Sequence, residues 1–338
     1  MTAPGAVLIL TLLLLGPLAV HAIARNLEIY FLILGAIAVT LAGQWDRALL
    51  GAVARAPMPI TLAVSVAGFG FAHLRPTLER GFARLREATS RPILTATAII
   101  VIGLASSLAT AIVGAIVLVE AIGMLRLGPP ARTNVTVAGC FAIGLGSALS
   151  PAGGPFSAIV AHGLGLHFFD LTRLLGAWIL PGVVAAGLLA AWFARGGYDL
   201  IAEEVSVRER TRDVVLQGAR IFAFVAGLTL IGVAYGPLAA SWVPRLGPNL
   251  LFWGNTLSAA LDNATLAALE AHGTTPIHLR PALLSMIISG GMLIPGNIPN
   301  IVCAGILRIR SAEWARVGVP IGLAMLGICF AILTLGGA

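Results

Sequence analysis

Gly290-Gly291-Met292-Leu293-Ile294-Pro295-Gly296-Asn297-Ile298-Pro299-Asn300 lies inside an apolar run that extends from 277 to 307. Its two prolines, four positions apart, lack backbone donors and cannot both continue one helix. A helix entering this stretch therefore breaks and releases carbonyl oxygens. Apolar sequence on both sides keeps the break at bilayer depth, where irregular backbone is tolerated only if it packs in protein or lines a cavity. The expected fold is thus an all-α polytopic membrane protein with a broken helix at its centre.

Composition agrees. Of 338 residues, 58% are hydrophobic and 10% charged, and the mean hydropathy is +0.97. A hydrocarbon core about 30 Å thick takes about 20 apolar residues per helix, which allows roughly eight to ten spans. The net charge of +7 comes from arginine alone, with no lysine. In a soluble protein that balance would suggest nucleic acid; here the arginines cluster in connecting segments, so no nucleic-acid partner is expected. Cys140, Cys303 and Cys329 sit in apolar runs without a CxxC and read as small buried hydrophobes rather than disulfides or zinc ligands. Residues 5–20 with Ala22-Ile23-Ala24 imitate a signal peptide, but no basic residue precedes them, and they read as the first span.

The apolar runs are 5–24, 27–43, 58–74, 93–125, 134–168, 174–194, 214–236, 250–271, 277–307 and 317–336. Runs 93–125 and 134–168 are too long for one straight crossing, and 250–271 carries Asn255, Asp262 and Asn263. We read 93–125 and 250–271 as re-entrant hairpins, and 134–168 and 277–307 as broken helices. Placing the Arg-rich loop 75–92 in the cytoplasm then leaves only Arg47, Arg55, Arg173, Arg245 and Arg280 outside, in accord with the positive-inside rule. The same assignment makes two halves of opposite sense: span, hairpin, broken helix and span over 58–194, and again over 214–338. Ser150-Pro151-Ala152-Gly153-Gly154-Pro155 matches Ile294-Pro295-Gly296-Asn297-Ile298-Pro299 in place. Inverted-topology repeats of this kind build many secondary transporters. Residues 1–57 are the N-terminal scaffold spans, and 195–213 is the cytoplasmic linker.

Asp262 is the acid deepest in any apolar run, where a carboxylate costs about 2.5–3.5 kcal/mol on insertion scales. Around it Asn255, Ser258, Asn263 and Thr265 supply hard oxygens suited to Na⁺ or a proton relay. If 250–261 is helical, Asn255, Ser258 and Asp262 share one face. At the break, freed carbonyls, Asn297 and Asn300 add ligands, and Pro295, Gly296 and Pro299 shape the backbone. The first break, with Pro151, Gly153 and Gly154, has no acid. The bland reading makes Asp262 neutral and the amides and hydroxyls interhelical glue. Glu120 and Glu270 lie near the ends of their runs, within reach of water. His162 and His167 are five apart, poor spacing for shared ligation of a metal.

The stretches from Asn255 to Glu270, with SAALDNAT, and from Gly290 to Pro320, with PGNIPN, resemble the DUF1646-type predicted cation transporters. Those are relatives of the ion transporter superfamily, which holds sodium/proton antiporters of the NhaD kind, arsenite permeases and dicarboxylate carriers. The likeness extends to 26–43 and 139–157. It implies a scaffold plus a transport unit with two opposed hairpins, alternating access, a multi-pass place in the cell (inner) membrane, and a homodimer. By that resemblance Asp262, Asn263 and Thr265 map to the second hairpin tip and 295–300 to the facing break. The family pattern has an acid where this chain has Gly154.

The expected function is secondary active cation transport, Na⁺/H⁺ antiport with Asp262 as shared cation and proton site. The partners are the lipid bilayer and inorganic ions, with no cofactor and no metal beyond the transported cation. The alternative is Na⁺-coupled transport of a dicarboxylate or oxyanion, held at helix N-termini. A channel could use the same ligands. No HExxH, GxSxG or paired-Asp motif points to an intramembrane enzyme.

Overall fold

The computed structural model describes residues 3–20, 23, 26–58, 61–62, 89–197, 211–242, 245, 247–259 and 276–335. Among these the chain is helical, with no strand. The helices are α1 (Ala3–Ala19), α2 (Leu27–Ala42), α3 (Arg47–Arg55), α4 (Arg91–Ala109), α5 (Ala111–Leu125), α6 (Pro129–Ser147), α7 (Pro155–Gly163), α8 (Asp170–Ala194), α9 (Thr211–Trp242), α10 (Pro248–Gly254), α11 (Pro276–Gly290), α12 (Ile298–Leu307) and α13 (Ser311–Leu335). Tight 3₁₀ turns cover Pro151–Gly153, Asn255–Ala259 and Ile294–Gly296.

Helices α4, α8 and α13 and the Gly218–Leu238 part of α9 are apolar and long enough to cross a membrane. Each has a packed and an unpacked side. On α13, Leu326 is fully buried while Ile328 is 63% exposed. An exposed apolar stripe of this kind suits lipid, not water.

Helices α1, α2, α3 and α9 form one packed group. Gly35 and Gly227 let the backbones of α2 and α9 touch, the small-residue crossing common between membrane helices. Phe31 stacks on Phe224 with centroids 4.9 Å apart, and Arg220 reaches Glu28 at 3.4 Å. Hydroxyls tie in α1: Tyr30 Oη donates to Leu12 O at 2.9 Å, and Tyr235 Oη to Ala6 O at 2.6 Å. The scaffold thus recruits α9, which opens the second repeat in the sequence reading.

The second group is α4 to α8 with α10 to α13. The chain turns back at Thr110, where Gly114 lies against Ser106, so α4 and α5 form a hairpin. Its first arm, 19 residues or about 28 Å, nearly matches the hydrocarbon thickness. Contacts fix the register of the rest. Ile99 meets Gly139 and Gly103 meets Ala142 and Gly146, so α4 and α6 run parallel. Thr172 meets Leu149, Gly182 meets Leu145 and Gly197 meets Ala131, so α8 returns antiparallel. Arg280 near the start of α11 donates to Leu174 O near the start of α8, at 3.1 Å.

Both long runs break where their prolines require. The first yields α6, the turn Pro151–Gly153 and α7; the second yields α11, the turn Ile294–Gly296 and α12. Each is followed by a helix of 25 residues, α8 and α13. One expectation is corrected. Residues 250–261 are not one α-helix, because α10 ends at Gly254 and a 3₁₀ turn follows. Glycine weakens the helix there, Thr256 Oγ1 bonds back to Trp253 O, and Asn255 is drawn onto α11.

Candidate functional site

The second break is built around Asn300. Helix α11 stops at Gly290-Gly291, two poor helix formers ahead of Pro295; Ile288 O and Ser289 O are closed by the tightened last turn, while Gly290 O needs a donor from outside the helix. Asn300, fully buried in the first turn of α12, reaches back across the gap. Its Nδ2 donates to Gly290 O at 2.7 Å and to Leu293 O at 2.8 Å. Its Oδ1 is buried with no hydrogen-bond partner. Asn297 caps α12, its Oδ1 accepting from Ile298 N at 2.9 Å. Trp314 Nε1 on α13 donates to Gly291 O at 3.2 Å.

Two other elements close on this break. From α6, Phe141 lies against Gly291, Gly144 against Asn297 Nδ2, and Cys140 Sγ is 3.6 Å from Pro299 O. From the 3₁₀ turn after α10, Ala259 meets Gly296. A Cβ at Gly296 would collide with Gly290 O and crowd Ala259 O, so only glycine lets the three backbones meet.

A polar seam runs from the break along α11. Asn255, 4% exposed, donates through Nδ2 to Ser285 Oγ at 2.9 Å and to Ala282 O at 3.2 Å. One helical turn on, Ser289 is fully buried and its Oγ has no partner. Ser285 and Ser289 were missed in the sequence, although their spacing of four on one helix face is a readable signal. The named side chains are all neutral, which suits oxygen coordination of a small cation or a water file.

The first break is closed differently. Ser150 Oγ donates to Ser107 O near the hairpin turn and accepts from Ala152 N at 3.2 Å. Thr172 Oγ1 donates to Leu149 O at 2.6 Å, and Ser157 Oγ to Gly154 O at 3.0 Å. Gly153 sits over Ser147 O as Gly296 sits over Gly290 O. Pro151 opens the turn, and a side chain at Gly154 would enter open space.

The structure therefore brings together Asn255, Pro295, Gly296, Asn297, Pro299 and Asn300, with Ser258 in the adjoining turn. Asp262, Asn263 and Thr265 lie outside the described residues. Among the described residues no cluster of three His, Cys, Asp or Glu side chains could hold a metal. The three cysteines are free and buried, and Cys140 and Cys303 adjoin one another between α6 and α12.

No curated protein matches the chain. Over residues 3–335, however, the sequence matches the family described as protein of unknown function DUF1646. A broken-helix membrane protein matched over almost its whole length belongs to that family: the chain is a member of DUF1646.

Proposed function

We propose that this protein is a secondary active cation transporter of the cell (inner) membrane, exchanging Na⁺ for H⁺ by alternating access, with Asp262 as the shared site. One observation carries the reading. A fully buried amide oxygen, Asn300 Oδ1, has no partner at a helix break in an apolar run. Burying such an oxygen unpaired costs about 1–3 kcal/mol, so a ligand belongs there. Ala259 packs on the same break, and three residues of chain, at most about 11 Å, separate it from Asp262. A carboxylate within that reach would take the cation or a proton in turn.

The reading of two inverted halves is supported by the contacts of α8. Its start meets the end of α6 through Thr172 and Leu149, and also meets the start of α11 through Arg280. The two broken runs thus enter from opposite ends, as alternating access between related halves requires. The turn at Thr110 meets the first break through Ser107 and Ser150, and α5 then carries the chain back toward the level at which α4 began.

The test is proteoliposomes carrying a pH dye and titrated with Na⁺, Li⁺, K⁺ and Ca²⁺. The wild type should move protons in answer to Na⁺, and Asp262→Asn should not. Normal exchange by that variant would sink the assignment of Asp262. Uptake of labelled succinate or arsenite, without Na⁺-driven proton movement, would favour the anion carrier instead.

A further inference from the structure

Helix α3 has nine residues, about 14 Å of helix, too few to cross a membrane. It begins where an apolar helix stops. Glu28 meets Arg220, Phe31 meets Phe224 and Gly35 meets Gly227, so α2 runs parallel to the crossing helix α9. Gly43 ends α2 in a left-handed turn, with Gly43 N bonded back to Thr40 O and Gln44 N to Val39 O. Asp46 then caps α3, its carboxylate accepting from Leu49 N at 2.6 Å, and α3 packs on α9.

The helical period gives α3 three faces. Leu49 is buried and Val53 half-buried against the scaffold. Next round the helix, Leu50 and Ala54 are exposed, Leu50 to 57%. Arg47, Gly51 and Arg55 lie on the side away from Leu49, and both arginines are exposed. An exposed leucine alone is ordinary on a protein surface. Here a stripe leads up to it: Ile29, Ile33, Ile37 and Leu41, four apart on α2, are 52, 53, 44 and 56% exposed. Such a stripe is the face that an apolar helix turns to lipid. Just past its end stands Trp45, also exposed, with Nε1 donating to Thr40 Oγ1 at 2.9 Å. An apolar ring with a satisfied N–H, placed at the end of a lipid-facing stripe, marks the membrane–water boundary.

We infer that α3 lies along the membrane surface, with Trp45, Leu50 and Ala54 set into the boundary between phospholipid headgroups and acyl chains, and Arg47 and Arg55 reaching the headgroups. The partner is the bilayer surface, entered by the apolar face of a short amphipathic helix while the arginines snorkel outward. Packed on α9, α3 holds the scaffold at one depth in the membrane. The inference rests on the membrane placement of α2 and α9 and is independent of the ion carried.

The test is power-saturation electron paramagnetic resonance of the full chain in phospholipid vesicles, spin-labelled in turn at Leu50→Cys, Gly51→Cys and Ile33→Cys. Oxygen, which concentrates in lipid, is compared with a water-soluble nickel chelate. The native cysteines are buried, and wild type taken through the labelling sets the background. Leu50 and Ile33 are exposed and a Cβ at Gly51 meets open space, so the substitutions leave the packing intact. Ile33→Cys should favour oxygen strongly, and Leu50→Cys should favour it by at least about twofold. Gly51→Cys, one residue on but on the polar face, should favour the nickel chelate. Nickel dominance at Leu50→Cys with oxygen dominance at Ile33→Cys puts α3 in water and overturns the inference, leaving the membrane placement intact. Oxygen dominance at both Leu50→Cys and Gly51→Cys sinks the helix into hydrocarbon and overturns it equally. Nickel dominance at Ile33→Cys overturns the membrane placement, and the inference with it.

Discussion

Replacing Asn300 by alanine removes both donors that hold the second break together. Gly290 O and Leu293 O would lose partners at 2.7 and 2.8 Å, at a residue with no solvent exposure. Leu293 O keeps a bond from Gly296 N at 3.3 Å, so Gly290 O alone is left unpaired, at a cost of about 1–3 kcal/mol. The same substitution deletes the orphan Oδ1. If that oxygen binds nothing, its removal returns about 1–3 kcal/mol and the net loss is small. If it holds Na⁺, saturating Na⁺ stabilises the wild type by a further ~2.7 kcal/mol at a hundredfold excess over Kd, and the variant gains none of this. Chemical unfolding in detergent micelles, followed by tryptophan fluorescence with and without Na⁺, reads both terms. We expect Asn300→Ala to be less stable by several kcal/mol in Na⁺ and insensitive to its removal. Equal response of the two proteins to Na⁺ would refute the assignment of Oδ1 as a ligand.

Gly296→Ala should lose about 1–3 kcal/mol in the same assay, since its Cβ meets backbone on two sides, whereas Gly154→Ala, facing open space, should stay within about 0.5 kcal/mol. Trp314→Phe keeps the packing but strips the donor from Gly291 O, for an expected loss of about 1–3 kcal/mol. Asn255→Ala should detach the turn after α10 from Ser285 and Ala282, seen as faster amide exchange over 255–259 with α2 and α9 unchanged.

Much of the fold could be read from residues that leave the chain no choice. Pro151, Pro295 and Pro299 marked both breaks because each stands with glycine and a second proline within four residues, whereas the lone Pro181, Pro237, Pro281 and Pro320 lie inside continuous helices. The turn at Thr110 was bracketed by the length of 93–125 but not located, since no proline or glycine marks it; Thr110 takes a left-sided φ of 71° there. The association of α9 with α2 was not legible. It depends on Gly35 meeting Gly227 across a long stretch of chain, and either glycine alone is unremarkable in a membrane helix. At the site, the polar residues of the break were visible but their division of labour was not. Asn297 spends its oxygen on a cap and Asn300 its nitrogen on two carbonyls, choices set by backbone direction rather than residue type.

Helix α6 ends in one break and walls the other, touching Gly291, Asn297 and Pro299 along its side. That shared wall has a mechanical consequence. A shift of α6 that remodels its own end must also open gaps around Pro299, and tightly packed interiors resist voids. On the proposed transport reading, the two gaps in the helical frame would then rearrange in one concerted stroke, with half-moved forms too sparsely populated to leak ions.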